Sequence, residues 1–221
     1  MKTMLQRSMV LAGAGMLVAA LLSGCSALNP LTGPSMTHYS LVDAQAATPA
    51  ATQAGPAALT LIVNPPHAAA GFDSPRMVYL READKLEYFA ESEWVDTPAR
   101  MLAPLVVASL ARSGGFRAVV QGPSTIAADL RLTVQVLRLQ QEFLGAPSRA
   151  RFAVRAYVVD NASRKVLASR DFEATANAAG ENAAGGAQAA NQAVQSVLGE
   201  LAAFCAQAAR DAPPREVPSR G

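Results

Sequence analysis

The sequence predicts an α+β fold, a mostly antiparallel twisted sheet with two helices packed on one face. Two runs alternate apolar and polar residues with period two, "ADLRLTVQVLRLQQEFL" and "SRARFAVRAYVVD", and "KVLASRDFEATA" follows as a third strand. Only turn material such as Asp160-Asn161-Ala162-Ser163 separates them, so they pair as an antiparallel meander. Two further stretches, around 96–115 and 187–210, instead carry apolar residues at helical spacing. Each has one apolar stripe to bury, and a sheet face is the surface available to bury it on.

The elements follow in order. "HYSLV" (His38–Val42) is a brief strand-like patch. Leu59 to Val63 is a short apolar strand, stopped by Pro65-Pro66. The Pro-rich loop Asn64–Pro75 is either a contact arm or a mobile connection. Met77–Arg81 and Leu86–Ala90 form a hairpin around Glu82-Ala83-Asp84-Lys85. Asp96 or Thr97 caps the first helix, and Pro98 suits its first turn, where no amide hydrogen is needed. Met101, Leu102, Leu105, Val106 and Leu110 form its stripe, and Gly114-Gly115 ends it. Pro104 lacks a donor, so the axis kinks there or the helix proper starts there.

Phe116–Gln121 is a strand. In the long run after it, Leu130, Leu132, Val134 and Val136 point one way and Arg131, Thr133 and Gln135 the other. The phase slips near Val136, which predicts a bulge or twist. Phe152, Val154, Ala156 and Val158 then oppose Arg151, Arg155 and Tyr157. "NAAGENAAGGAQ" is a glycine-broken loop before the second helix, whose stripe is Ala190, Val194, Val197, Leu198, Leu201 and Phe204/Cys205.

The chain's start decides its compartment. "MVLAGAGMLVAALL", Met9 to Leu22, follows a basic segment with Lys2 and Arg7. Its length matches a signal-peptide core and is short of the roughly 20 residues of a spanning helix. Leu22-Ser23-Gly24-Cys25 resembles the bacterial lipobox. By that resemblance cleavage falls before Cys25, whose thiol takes a diacylglyceryl group and whose new amino group takes a third chain. Ser26, in place of aspartate, favours the outer membrane. The predicted organisation is 1–24 signal peptide, 25–58 lipidated tether and flexible linker, 59–210 folded domain and 211–221 disordered tail.

Charge and residue inventory exclude several functions. Of 19 Lys+Arg and 17 Asp+Glu, cleavage removes Lys2 and Arg7, leaving 17 against 17. A neutral chain has no electrostatic case for nucleic acid. With Cys25 acylated, Cys205 is alone, a small core residue by its pattern. The two histidines, His38 and His67, stand apart, and no Gly-x-Ser-x-Gly, Cys-x-x-Cys or His-Glu-x-x-His motif is present. We therefore expect no enzyme, cofactor or metal, so the chain would act through a partner.

Two surfaces are candidates for that partner. Trp94, in "ESEWVD", is a core plug or an exposed anchor, and Tyr79 and Tyr88 beside it carry the same ambiguity. The polar sheet face with Arg131, Arg151 and Arg155 is either solvated or covered by another chain.

The order of these features resembles the ABC-type transport auxiliary lipoprotein family, over roughly residues 37–209. The resemblance rests on the lipobox, Tyr39-Ser40-Leu41, and the block "RMVYL…KLEYFAESEWVDTPARMLAPLVVASLARSGGFRAVV". "ADLRLTVQVLRLQ", "RARFAVRAYVVD" and the Ala-rich helix complete it. It implies a non-enzymatic outer-membrane lipoprotein working with an MCE-domain protein (mammalian cell entry domain) and an inner-membrane permease and ATPase in moving lipids. It carries no catalytic residues onto this chain. A homo-oligomer is also expected, since the sheet edges offer pairing. A lipid-binding carrier and an outer-membrane assembly lipoprotein are the alternative readings.

Overall fold

One long strand organises the sheet. The computed structural model describes residues 35–43 and 59–213; Cys25, the signal peptide, the rest of the tether and residues 214–221 lie outside these. The strands are β1 (Thr37–Tyr39), β2 (Thr60–Val63), β3 (His67–Ala68), β4 (Arg76–Glu82), β5 (Lys85–Trp94), β6 (Ala118–Gln121), β7 (Leu130–Glu142), β8 (Arg149–Asp160) and β9 (Val166–Asn177). The helices are α1 (Pro98–Arg112) and α2 (Ala183–Arg210).

β7 pairs antiparallel with β8 along its whole length, from Leu130↔Asp160 to Glu142↔Arg149, and β8 pairs antiparallel with β9. This is the predicted meander, and the register shifts between Val136 and Arg138, where the phase slips in sequence. The other edge of β7 is shared. β2 runs parallel beside Leu130–Leu132, β3 beside Gln135–Val136 and β4 beside Gln140–Glu142. β6 extends β2, again in parallel; β5 pairs antiparallel with β4, and β1 lies parallel to β5. The sheet is thus mixed: its long ladders are antiparallel and its short ones mostly parallel.

The loop 64–75 is neither an arm nor a mobile connection. A strand of 13 residues leaves an edge that two short partners cannot cover. This segment fills the gap through β3, with the Asn64 amide on the Leu132 carbonyl (2.9 Å), the Ala69 amide on that of Val136 (2.8 Å) and Phe72 buried. In the hairpin, Glu82 faces Lys85 directly, and a bulge sets Tyr88 to Glu93 of β5 against only Arg76 to Val78 of β4.

Thr97 caps α1, its side chain accepting from the Arg100 amide. The helix continues through Pro104, which is exposed; the carbonyl it leaves without a donor belongs to Arg100, also exposed. Gly114 adopts φ +66°, which turns the chain out of the helix at no Cβ cost.

α2 begins at Ala183, so its first turn takes in Gly185 and Gly186, which the sequence reading left in the loop. Two helical glycines cost about 1 kcal/mol each. Asn182 offsets part of this by accepting from the Gly185 amide (2.9 Å). Close approach demands the rest: a Cβ at 185 would meet the backbone of Gly180, and one at 186 the buried side-chain amide of Gln141.

Both helices press on one face. Leu130, Leu132, Val134 and Val136 of β7 and Phe152, Val154, Ala156 and Val158 of β8 form one core with the stripes of α1 and α2. Phe172 of β9 meets Phe204 of α2 edge to face at 5.4 Å. Cys205 is buried there, and burial pushes its thiol up to about 12. Native protein at pH 8 is therefore expected to resist iodoacetamide at Cys205 until unfolded; alkylation of the folded chain at the rate of a free thiol would contradict this.

Candidate functional site

The docked piece of the tether is the first functional feature. Thr37–Tyr39 pairs with Ser92–Trp94, the Val95 amide donates to the Tyr39 carbonyl (2.8 Å), and Leu41 is 5% exposed within the core. α2 clasps the next residues with two amide side chains one turn apart. Asn191 Oδ1 accepts from the Val42 amide (2.8 Å) and Nδ2 donates to the Ser40 carbonyl (3.1 Å); Gln195 Nε2 donates to the Val42 carbonyl (2.8 Å). Arg112, at the end of α1, grips Asp43 with both terminal nitrogens, at 2.6 and 2.9 Å. Both members of that pair are mostly shielded from water, so it is held better than a surface pair. The segment the sequence assigns to a linker thus contains a strap belonging to the domain. The strand-like patch His38–Val42 marks it in sequence but not where it docks; that signal lies in α2, where Asn191 and Gln195 break the small apolar pattern at i, i+4.

The second feature is the sheet face away from the helices. The register of β7, β8 and β9 places Arg131, Gln135, Arg138, Arg149, Arg151 and Arg155 there, as the alternation predicts for Arg131, Arg151 and Arg155. The sequence reading missed their partners. Arg155 binds Asp171 through two bonds of 2.6 and 2.7 Å, and this holds the Asp171 carboxyl below, and the guanidinium above, its ordinary value. Arg151 bridges two acids, with Nε 2.8 Å from Glu142 and Nη1 2.9 Å from Glu173, which also takes Arg138 at 3.4 Å. Arg131 donates to Asn161 Oδ1 at 2.8 Å. Four guanidinium groups therefore meet three carboxylates (Glu142, Asp171, Glu173) and Arg131 meets a neutral amide, so the ladder is cross-linked and keeps a cationic surplus.

Glu142 is the buried member of this ladder, 5% exposed. Burial pushes its carboxyl up, but hydrogen bonds from Gln140 (2.9 Å) and Arg149 (3.0 Å) and the charges of Arg151 and Arg149 outweigh that and hold it below its ordinary 4.5. A lowered folded-state value means that the unfolded chain takes the proton first. The stabilisation is complete above about pH 4.5 and is lost as the pH falls towards the folded-state value. Urea titrations from pH 7 to 3 should show Glu142→Gln removing part of the wild-type acid limb; an unchanged limb would refute the assignment.

The aromatic candidates separate. Trp94 is 3% exposed, a plug under β1, so its ring offers no surface. Tyr79 is half-buried in a ring cluster with Phe89 (4.7 Å) and Phe143 (5.8 Å), with the Arg81 guanidinium over it at 5.2 Å. Tyr88 is exposed beneath Arg76, 5.0 Å from its ring centre. Val78↔Tyr88 and Tyr79↔Glu87 are consecutive pairs, so the two tyrosines point to opposite faces. His38 lies on β1 and His67 on β3. Among the described residues no group of three His, Cys, Asp or Glu is placed to hold a metal ion, and no helix is long and apolar enough to cross a membrane.

Comparison with known proteins agrees with this architecture. A crystal structure of a protein from Xanthomonas campestris superposes with TM-score 0.67 at 24% identity, covering 79% of this chain and 97% of that one. A second crystal structure, of an uncharacterized protein, gives 0.57 at 14% identity, covering 78% and 97%. Both show the same fold. No curated protein matches the sequence. The family model of the ABC-type transport auxiliary lipoprotein component matches residues 39–202, from the strap tyrosine through α2, and the chain belongs to that family: it is an auxiliary lipoprotein component of ABC-type transport, lipid-anchored in the cell envelope.

Proposed function

We propose that this lipoprotein sits on the periplasmic face of the outer membrane, held by acyl chains on Cys25. There it docks the MCE-domain partner of an intermembrane lipid-transport system whose permease and ATPase lie in the inner membrane. The family match carries this reading: it assigns an auxiliary role and spans both the strap and the domain. The contacts are Tyr88 and the guanidinium face of Arg131, Arg151 and Arg155; Trp94 supports that surface from within, and the half-buried Tyr79 backs it from the opposite face of the sheet. The cationic surplus fits an acidic partner surface.

A docking role is favoured over a lipid carrier by the packing. The cavity between α2 and the sheet has about 10 Å³, room for one water and not for an acyl chain. Among the described residues β9 pairs only with β8, so its outer edge is open to a second copy in a ring or other homo-oligomer. Light scattering that shows only monomer would remove that part.

The test is co-purification. Outer membranes solubilised in mild detergent should yield the lipoprotein together with an MCE-domain protein. An Arg131→Glu, Arg155→Glu chain should lose that partner while keeping its membrane fraction. Consistent failure of the wild-type chain to bring down any MCE-domain protein would overturn the docking role.

A further inference from the structure

A polar pair is enclosed where the strap-bearing edge, the sheet and α2 meet. The cavity there is lined mainly by apolar residues, Met77, Val78, Phe89, Leu139 and Ala190 among them, and its polar lining residues are Trp94, Gln140 and Gln141. Trp94 Nε1 and Gln141 Oε1 have no hydrogen-bond partner among the described residues, and their residues are 3% and 4% exposed. The Gln141 amide is oriented by its Nε2, which donates to Ser148 Oγ at 2.9 Å. Native interiors seldom leave a buried donor and acceptor unpaired, because each has given up its bonds to water.

We propose that this cavity binds one ordered water molecule, which accepts the Trp94 N–H and donates to Gln141 Oε1. The volume of about 10 Å³ is the least that admits a water, which sets the ligand's size. The chemistry sets its identity: water alone among such small species both accepts and donates freely. Its place gives it a role. Trp94 is paired with Tyr39 of the strap, and Gln141 lies against Gly186 in the first turn of α2. The water joins the edge strand that pairs with the strap to the central strand on which the first turn of α2 rests.

Trp94 is the only tryptophan, so the indole N–H gives a single signal in a nitrogen-15 spectrum. In the full chain bearing Cys25→Ser, that proton should show a cross-relaxation peak to water with the sign of a bound, slowly exchanging molecule. The peak should vanish in Gln141→Met, which keeps the volume and removes the acceptor. An indole proton with no such peak, or one whose peak is unchanged in Gln141→Met, would overturn the proposal. If that variant fails to fold, a wild-type crystal structure decides. A density peak within about 3.2 Å of both atoms supports the water. A dry cavity, or a direct Trp94–Gln141 hydrogen bond, refutes it.

Discussion

A Cys25→Ser chain is expected to leave the outer-membrane fraction entirely, while the wild-type chain stays with outer membranes and takes up labelled palmitate. Each acyl chain contributes roughly 0.8 kcal/mol per buried methylene, and one chain alone binds reversibly. Three chains would hold the protein for its lifetime, and serine accepts none. Among the described residues no helix can substitute as an anchor, because the longest, α2, carries only a stripe of apolar residues and a polar outer face. The effect should therefore be close to all or none. A serine variant that still floats with outer membranes, or a wild-type chain without palmitate label, would sink the anchor and with it the proposed location.

Leu41→Asp should release the strap and nearly triple the tether. A carboxylate held in that apolar contact would cost several kcal/mol, so the segment comes away instead. What is given up is about 2 kcal/mol of leucine burial, the amide clamps of Asn191 and Gln195, the Arg112–Asp43 pair and the β1–β5 ladder. Trp94 loses its cover, while the core between α1, α2 and the β7–β9 meander keeps its own contacts. From Cys25 to Thr37 the chain has 12 residues (37 − 25), a contour of about 40 Å; from Cys25 to Leu59 it has 34 (59 − 25), about 115 Å. With the anchor proposed at Cys25, the strap would set how far below the membrane the domain can work. Amide exchange at 39–43 should accelerate many-fold, and the Trp94 emission should shift red as β1 leaves its edge. Retained protection at those amides would refute the release.

Much of this was legible because the relevant physics is local. Arg131, Thr133 and Gln135 alternate with Leu130, Leu132 and Val134, and that alternation alone assigns each to a face. The helix cap at Thr97, the bulge after Val136 and the burial of Cys205 follow from the same kind of pattern. What escaped was non-local. β3 has two residues and no pattern of its own; it exists because β7 needs an edge covered. Gly185 and Gly186 read as a loop because their reason to be glycine lies in Gly180 and Gln141. In the candidate site the arginines were visible, but Asp171 and Glu173 became their partners only through the β8–β9 register.

The sequence by itself determined the kinds of element, their order and the face each side chain takes, since side-chain periodicity follows from backbone geometry within one segment. Tertiary structure alone decided that three short strands share one edge of β7 in parallel, that residues 37–43 belong to the domain and that the arginine face is cross-linked. Those outcomes depend on unpaired backbone edges and unfilled contacts elsewhere in the chain, which no window of neighbouring residues records.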